Sequence, residues 1–243
     1  MMKMKKDGQN PNYCEYLANF EKEQNKLKKG IKLENGFDKN KIKFISGIDL
    51  AYWENNNETY AVCCIVTIDY ESHQIVETKY LSGEITVPYI AGYLSFRELP
   101  LILETYKLLE IEPDIIMFDG NGFLHYRNMG IATHASFYLH KPTIGVAKSY
   151  LKIENVEYHM PLDEDRAFTD IIIHSTVYGR TLRPHKGVKP IFISCGNWID
   201  IDTATDIVLN CINQESRQPI PIRLADIETR KMREVFMREH KSL

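Results

Sequence analysis

Several familiar signals are missing from this 243-residue chain. No apolar run approaches the roughly 20 residues that a membrane-crossing helix needs. The basic start, Met1 to Lys6, is followed by polar residues rather than an apolar stretch, so it does not read as a signal peptide. None of the five cysteines, Cys14, Cys63, Cys64, Cys195 and Cys211, has CxxC spacing. Reduced structural thiols in a cytoplasmic protein are the expectation. The chain has no GxxxxGK[ST], GxSxG or HExxH, which argues against P-loop nucleotide hydrolysis, a serine-hydrolase elbow and a zincin site. It has no internal repeat and no low-complexity linker. An overall excess of positive charge is missing too, since the net charge is −3. The distribution is less even: residues 1–43 carry eleven lysines against six acids, and Arg180 to Lys189 holds Arg180, Arg183, Lys186 and Lys189 with no acid. Such clusters are usually solvated surface, and they can also neutralise phosphates.

The remaining pattern is that of a globular α/β protein. Residues 13–29 read as a polar helix that Gly30 could cap. Residues 44–52, 60–69 and 73–81 are rich in β-branched and aromatic residues and read as an antiparallel meander. Helical periodicity runs over 93–109. A strand at 115–119, a small-residue helix at 128–140 and a strand at 142–147 follow. Further strands are expected near 170–178 and 190–194, then helices at 202–212 and 223–241. Strands first, then alternation, predict a mixed sheet flanked by helices. The boundaries drawn are a basic helical extension, 1–43, and a main domain, 44–243.

Three acids break this pattern. Asp119 ends the apolar run Ile115-Ile116-Met117-Phe118, and Gly120 and Gly122 follow it. Glu98 falls on the apolar stripe Leu94, Leu101, Ile102 of its helix. Asp49 interrupts a strand, where aspartate is disfavoured. Taken singly, each also reads as an ordinary paired or edge carboxylate. Together they would repel one another unless a cation joined them, and all-oxygen ligands suit Mg²⁺ or Mn²⁺. Such sites perform phosphoryl chemistry. Lys148 ends strand 142–147 as Asp119 ends 115–118, so parallel pairing would put both on one rim. His125, Arg127 and His134 follow the glycine turn and are candidates for contacting phosphate or polarising water.

At this point the motifs resemble those of the endonuclease V family. Val87 to Glu98 (VPYIAGYLSFRE) is similar to PYIPGxLxFRE, and Phe118 to His134 to DGxGxxHxRxxGxAxH. Pro142 to Lys148 (PTIGVAK), Gly47-Ile48-Asp49 and Val188 to Ser194 supply three more matching blocks, collinear over residues 47–226. A Bacillus-type branch is the most similar. The resemblance implies an RNase H-like fold, a mixed central β-sheet flanked by helices. It also implies a Mg²⁺-dependent DNA-repair endonuclease for deoxyinosine that cuts the second phosphodiester 3′ to the lesion and leaves 3′-hydroxyl and 5′-phosphate. By motif, Asp49, Glu98 and Asp119 match the metal site, Lys148 the active-site lysine, and Tyr89 the wedge that fills the stack. Gly92, Leu94, Gly120, Gly130, Ile131 and Leu151 match the lesion pocket. His125 joins Lys148 as a candidate for holding the phosphate.

The implied partner is DNA containing deoxyinosine, with inosine-containing RNA as an alternative substrate, no membrane, and a monomeric protein. An inosine-specific ribonuclease and a non-cutting inosine binder are the competing readings. Binding alone would not require three acids and Lys148. Two departures stand out: Ala91 replaces a proline of PYIP, and Asn197 stands where many members have a histidine near the metal. Asn197 is expected only to position a water or ligand. The basic stretch 180–189 and the N-terminal lysines are expected to add strand contacts.

Overall fold

The computed structural model describes residues 11–241. Met1 to Lys6 and the side chain of Cys14 lie outside the described residues. The meander forms as expected from β1 (Phe44–Asn55), β2 (Glu58–Asp69) and β3 (Ile75–Glu84), with β1 and β2 longer than their apolar runs. Asn56 and Asn57 make this extension possible. Both adopt the left-handed conformation (φ 50° and 67°) that a two-residue hairpin turn requires and asparagine tolerates.

Next come α2 (Leu94–Tyr106), β4 (Ile115–Phe118), α3 (Ile131–Leu139) and β5 (Thr143–Ala147). Strand β4 pairs in parallel with β1 on one side and β5 on the other. Beyond β5 the sheet turns antiparallel through β6 (Phe168–Ile173), β7 (Thr176–Leu182) and β8 (Ile191–Asn197). The eight strands lie in the order β3-β2-β1-β4-β5-β8-β7-β6. The helices α4 (Ile201–Asn210), α5 (Ile220–Lys241) and α1 (Pro11–Lys28) complete the chain. This is the mixed, helix-flanked sheet that the patterning predicts. One element differs: the strand expected near 170–178 is two strands of a hairpin. The chain reverses at His174 and Ser175, both at positive φ, and no glycine or asparagine marks the turn.

Side chains alternate between two cores. One face of the sheet contributes Ile45, Met117, Ile144 and Ile193 to a core shared with α4 and the start of α5. The other contributes Ile48, Ile65, Ile116 and Phe118 to a core with α2 and α3. Cys63, Cys64, Cys195 and Cys211 are free and buried. Burial pushes their thiols up, and a raised thiol is a poor nucleophile. No helix among the described residues is long and apolar enough to cross a membrane.

The turn after β4 lies directly against β5. A Cβ on Gly145 would come 2.4 Å from the Gly122 nitrogen and 2.7 Å from the Gly120 oxygen. Gly145→Ala should therefore cost about 1–3 kcal/mol through overpacking against backbone. Denaturant unfolding measures it, and a variant as stable as the parent would show that the turn gives way freely.

Candidate active site

Phe118 ends β4, paired with Ile48 of β1 and Gly145 of β5. Both neighbours run on past it, and a notch opens where β4's hydrogen bonds stop. The register places Asp49, which follows Ile48, beside Asp119, which follows Phe118. Lys148 leaves the end of β5 on the same rim, its Nζ 2.6 Å from Asp119 Oδ2. The parallel pairing that the sequence made a condition for this meeting is present. Glu98 enters from α2. Together Asp49, Glu98 and Asp119 line one small cleft of about 40 Å³.

Each carboxylate has its own donor. The Thr229 hydroxyl donates to Asp49 (2.8 Å), the Tyr52 hydroxyl to Glu98 (2.6 Å), and Lys148 to Asp119. Arg97 does not pair with Glu98. It donates to the Val87 carbonyl and stacks on the Tyr52 ring. Burial pushes Asp49 up to about 6, and repulsion from Asp119 and Asp226 adds to the rise against the pull of Thr229. Glu98 is pushed up to about 7, again by burial first, with Asp49 and Asp119 adding repulsion and Tyr52 opposing it.

Asp226, which the sequence reading missed, borders the same cluster from α5. It lies four residues after Ile222, on the face that buries Ile222, Ala225 and Thr229. Arg230 pairs with it at 2.9 Å. An acid on the buried face of an amphipathic helix was the available signal, the same one that marked Glu98.

Among the described residues no three acid, histidine or cysteine side chains form a preassembled ligand set. The carboxylates are turned onto their own donors. Even so, the donor set is all oxygen, and a hard divalent cation offsets both causes that raise Asp49 and Glu98, burial first and mutual repulsion second. The residues therefore fit Mg²⁺ or Mn²⁺.

A second cavity, of about 140 Å³, opens beside the cleft and shares Ile131 with it. Drug-sized ligands occupy roughly 300–1,000 Å³, so this one suits a ring system rather than a whole nucleotide. All six predicted pocket residues line it: Gly92, Leu94, Gly120, Gly130, Ile131 and Leu151. Tyr89, 67% exposed, stands at its mouth. Gly92 sits at φ +82°, a conformation that favours glycine. A Cβ on Gly130 would run into the Asn121 carbonyl. Asn121 and Tyr126 also line the cavity, and the sequence reading did not single them out.

The two histidines separate. His125 is on the pocket wall, not in the carboxylate cleft. Burial and then Arg127 pull it down to about 4, so it is neutral near pH 7 and lacks the charge of a phosphate anchor. His134 is fully buried between Ser95 Oγ (2.7 Å) and Glu23 (3.0 Å), which makes it a structural hydrogen-bonding residue rather than a phosphate contact.

Glu23 belongs to α1, as does Gln24, which is 1% exposed. Gln24 donates to the carbonyls of Gly92 and Met129 and accepts from Arg127. Arg127 also donates to the Gly92 carbonyl at 2.7 Å and stacks on Tyr93. Phe20 stacks on Phe96 at 3.8 Å. The N-terminal helix thus braces the back of the pocket.

Two expectations are corrected. Asn197 is fully buried and pairs with Thr143 at the start of β5, five residues before Lys148. At about 3.3 Å per residue that level is about 10 Å along the strands from Asp119, and β8 lies two strands away from β4. Its side-chain oxygen accepts from the Lys32 amide at 2.8 Å, which fixes the segment after α1. It cannot position a ligand at the acids. The basic stretch 180–189 is mostly spent internally. Arg180 is buried, paired with Asp170 (2.7 Å) and Asp202 (2.6 Å). Arg183 donates to the carbonyls of Leu162 and Val188. Lys186 and Lys189 remain exposed.

Comparison with known proteins places this arrangement. The family model described as endonuclease V matches residues 25–227, reaching into the segment expected to be an extension. An endonuclease V of Bacillus thuringiensis is 62% identical over 221 residues, 91% of this chain and 94% of its own. The crystal structure of the Bacillus subtilis endonuclease V superposes with a TM-score of 0.89 at 51% identity, covering 92% of this chain and 94% of that one. That of Ciona intestinalis endonuclease V, in complex with a 24mer DNA containing an inosine followed by a ribo-adenosine, gives 0.83 at 30% identity over 91% and 99%.

Two outcomes follow from the geometry. Both raised acids hold their protons more tightly in the native state than in the unfolded chain, where carboxylates titrate near about 4. Without metal, their contribution to stability falls as pH rises from about 4 through about 7. Mg²⁺ should raise Tm by a few degrees at pH 7.5 and much less at pH 5, and Asp49→Asn should flatten both trends. A Mg²⁺ shift independent of pH would contradict this. Separately, Gln24→Leu strips the Gly92 and Met129 carbonyls of a buried donor. It should cost about 1–3 kcal/mol and speed amide exchange at residues 92–94, while unchanged exchange there would show that α1 does not brace the pocket.

Proposed function

This chain belongs to the endonuclease V family of nucleases, and on that premise we propose that it is a repair endonuclease for deoxyinosine in DNA. The proposed cut is at the second phosphodiester 3′ to the lesion. The observation that carries this reading is the contact between two cavities of different chemistry. A ring-sized pocket with an exposed aromatic at its mouth adjoins a cleft of three carboxylates, and Asp119 and Gly120, neighbours in the chain, line one each.

In this reading Tyr89 takes the place of the extruded base in the stack, and the base enters the pocket. Inosine pairs weakly and costs less to extrude than a normal base. Hypoxanthine lacks the 2-amino group of guanine, so a close wall excludes guanine by contact. Gly92, Gly120 and Gly130 let backbone form that wall, and neutral His125 flanks the base rather than a phosphate. Asp49, Glu98 and Asp119, with Asp226 bordering them, would hold Mg²⁺, which when bound would supply activation of water and neutralisation of the scissile phosphate. Lys148, anchored by Asp119, donates to a phosphate oxygen as its charge grows. The water oxygen bonds to phosphorus and the bond from phosphorus to the 3′ oxygen breaks. The 3′ oxygen takes up a proton, and the phosphate stays on the 5′ end of the departing strand.

An inosine-specific ribonuclease is the second reading, favoured by the ribo-adenosine after inosine in the Ciona complex. One experiment separates them: matched strands containing deoxyinosine, inosine in RNA or no lesion, each incubated with protein and Mg²⁺. The DNA strand should be cut only when it holds deoxyinosine. Asp119→Ala and Lys148→Ala should each slow single-turnover cleavage by about 10²–10³-fold, and Asn197→Ala, measured where it remains folded, by far less. A cut confined to RNA overturns the DNA-repair reading, and no cut near inosine in either strand overturns the nuclease one.

A further inference from the structure

A third depression lies beyond Lys148, on the side away from the base pocket. It has a volume of about 340 Å³. Three cations line it, Lys148, Lys189 and Arg217, and no acid does. Its floor is aromatic. Tyr150, Tyr158 and Phe192 pack on one another with ring centroids 5.0–5.5 Å apart. Met160, 55% exposed, forms part of its edge. Arg217 is held in place by the Pro190 carbonyl at 2.8 Å, and Tyr150 by its bond to the Val156 carbonyl at 2.8 Å. Cations over an aromatic floor are what single-stranded nucleic acid binds, with phosphates on the charges and bases on the rings.

Its position is as informative as its chemistry. A channel of about 340 Å³ joins it to the base pocket. The channel shares Gly120, Asn121 and Leu151 with the base pocket, Asp119 with the carboxylate cleft, and Lys148, Ser149 and Tyr150 with the groove. The order along the surface is base pocket, acids with Lys148, then groove. A strand whose inosine fills the pocket and whose second 3′ phosphodiester lies at Asp119 and Lys148 must carry its next nucleotide onward into this groove.

We propose that this groove is the subsite for the first nucleotide on the 3′ side of the cut, whose base lies on the Tyr150, Tyr158 and Met160 surface and whose following phosphate meets Lys189 and Arg217. The assignment rests on the reading that the chain cuts two phosphodiesters 3′ of inosine. It implies that affinity depends on the base beyond the cut, on a part of the strand that the lesion pocket does not touch.

The test is binding of fluorescent single strands in EDTA. One strand ends at the nucleotide after deoxyinosine with a 3′-phosphate, so that it carries the phosphate of the cut position. A second extends one nucleotide further and again ends in a 3′-phosphate, the group assigned to Lys189 and Arg217, a third has an abasic residue at that added position, and each is matched by a strand with deoxyadenosine in place of deoxyinosine. Extension should tighten binding about tenfold, and the abasic residue should lose most of that gain. The ratio between extended and short strands should fall towards one in Met160→Ala and in Lys189→Glu. It should persist in Lys186→Glu, a control for general charge. No gain on extension, or a gain kept by the abasic strand and both groove variants, overturns the groove while the preference for inosine over adenosine stands. Loss of that preference in every strand overturns the inosine reading, and the groove assignment with it.

Discussion

Strand β4 pairs for four residues and stops, while β1 and β5 continue beside it, and the acids gather where its hydrogen bonds end. Had β4 continued, Asp119 would be a ladder residue under helix α5 and its charge would be sealed from solvent and ions. Had it stopped sooner, Asp49 would have no carboxylate in register beside it. Burial raises Asp49 and Glu98, the notch keeps the acids close enough for repulsion to add to that rise, and it stays open enough to admit an ion. Charge concentrated without a preset cation is unstable by itself. Lys148 offsets part of it through Asp119, and hydrogen bonds from Thr229 and Tyr52 hold the other two.

Those partners come from elements far apart in the chain, so the site depends on the whole fold. Thr229 and Asp226 reach it from α5, which lies against β1 closely enough that a Cβ on Gly47 would meet the Pro221 backbone at 2.2 Å. Ser194 of β8 accepts the Gly122 amide at 2.8 Å and pins the turn after Asp119. Helix α1 secures the pocket from behind through Gln24 and Glu23. Groups held by secondary structure and a second layer of hydrogen bonds lose little freedom when a ligand arrives.

Periodicity made most of this legible. The meander, α2, β4, α3 and β5 follow from apolar spacing, and Asp49, Glu98 and Asp119 are visible because each violates it. What escaped had physical reasons. The turn at His174 and Ser175 uses positive φ without the residues that advertise it. Arg180 reads as surface charge because its partners, Asp170 and Asp202, come from a neighbouring strand and a helix that spacing cannot bring together. Asp226 is hidden in a helix dense with charges, where one acid on the inner face does not stand out. Asn197 looked like part of the site because a motif has no direction. Only the antiparallel course of β8 shows that Ser194 supports the glycine turn while Asn197, three residues on, lies towards the other end of the sheet.

In the proposed reading, the adjacency of Asp119 and Gly120 bears on how a lesion is tied to a cut at a fixed distance. Base pocket and carboxylate cleft are walled by consecutive residues of one turn, and that turn is fixed by the Phe123 amide on Cys195 (2.6 Å) and the Gly130 amide on Gly122 (3.0 Å). The span between the two sites is therefore a backbone dimension of the protein. A loop joining them would let the cut wander, and a rigid turn does not. An enzyme that cuts away from the base it recognises needs such a ruler. In the proposed reading its parts are a strand four residues long, the acid that ends it, and the glycine that follows.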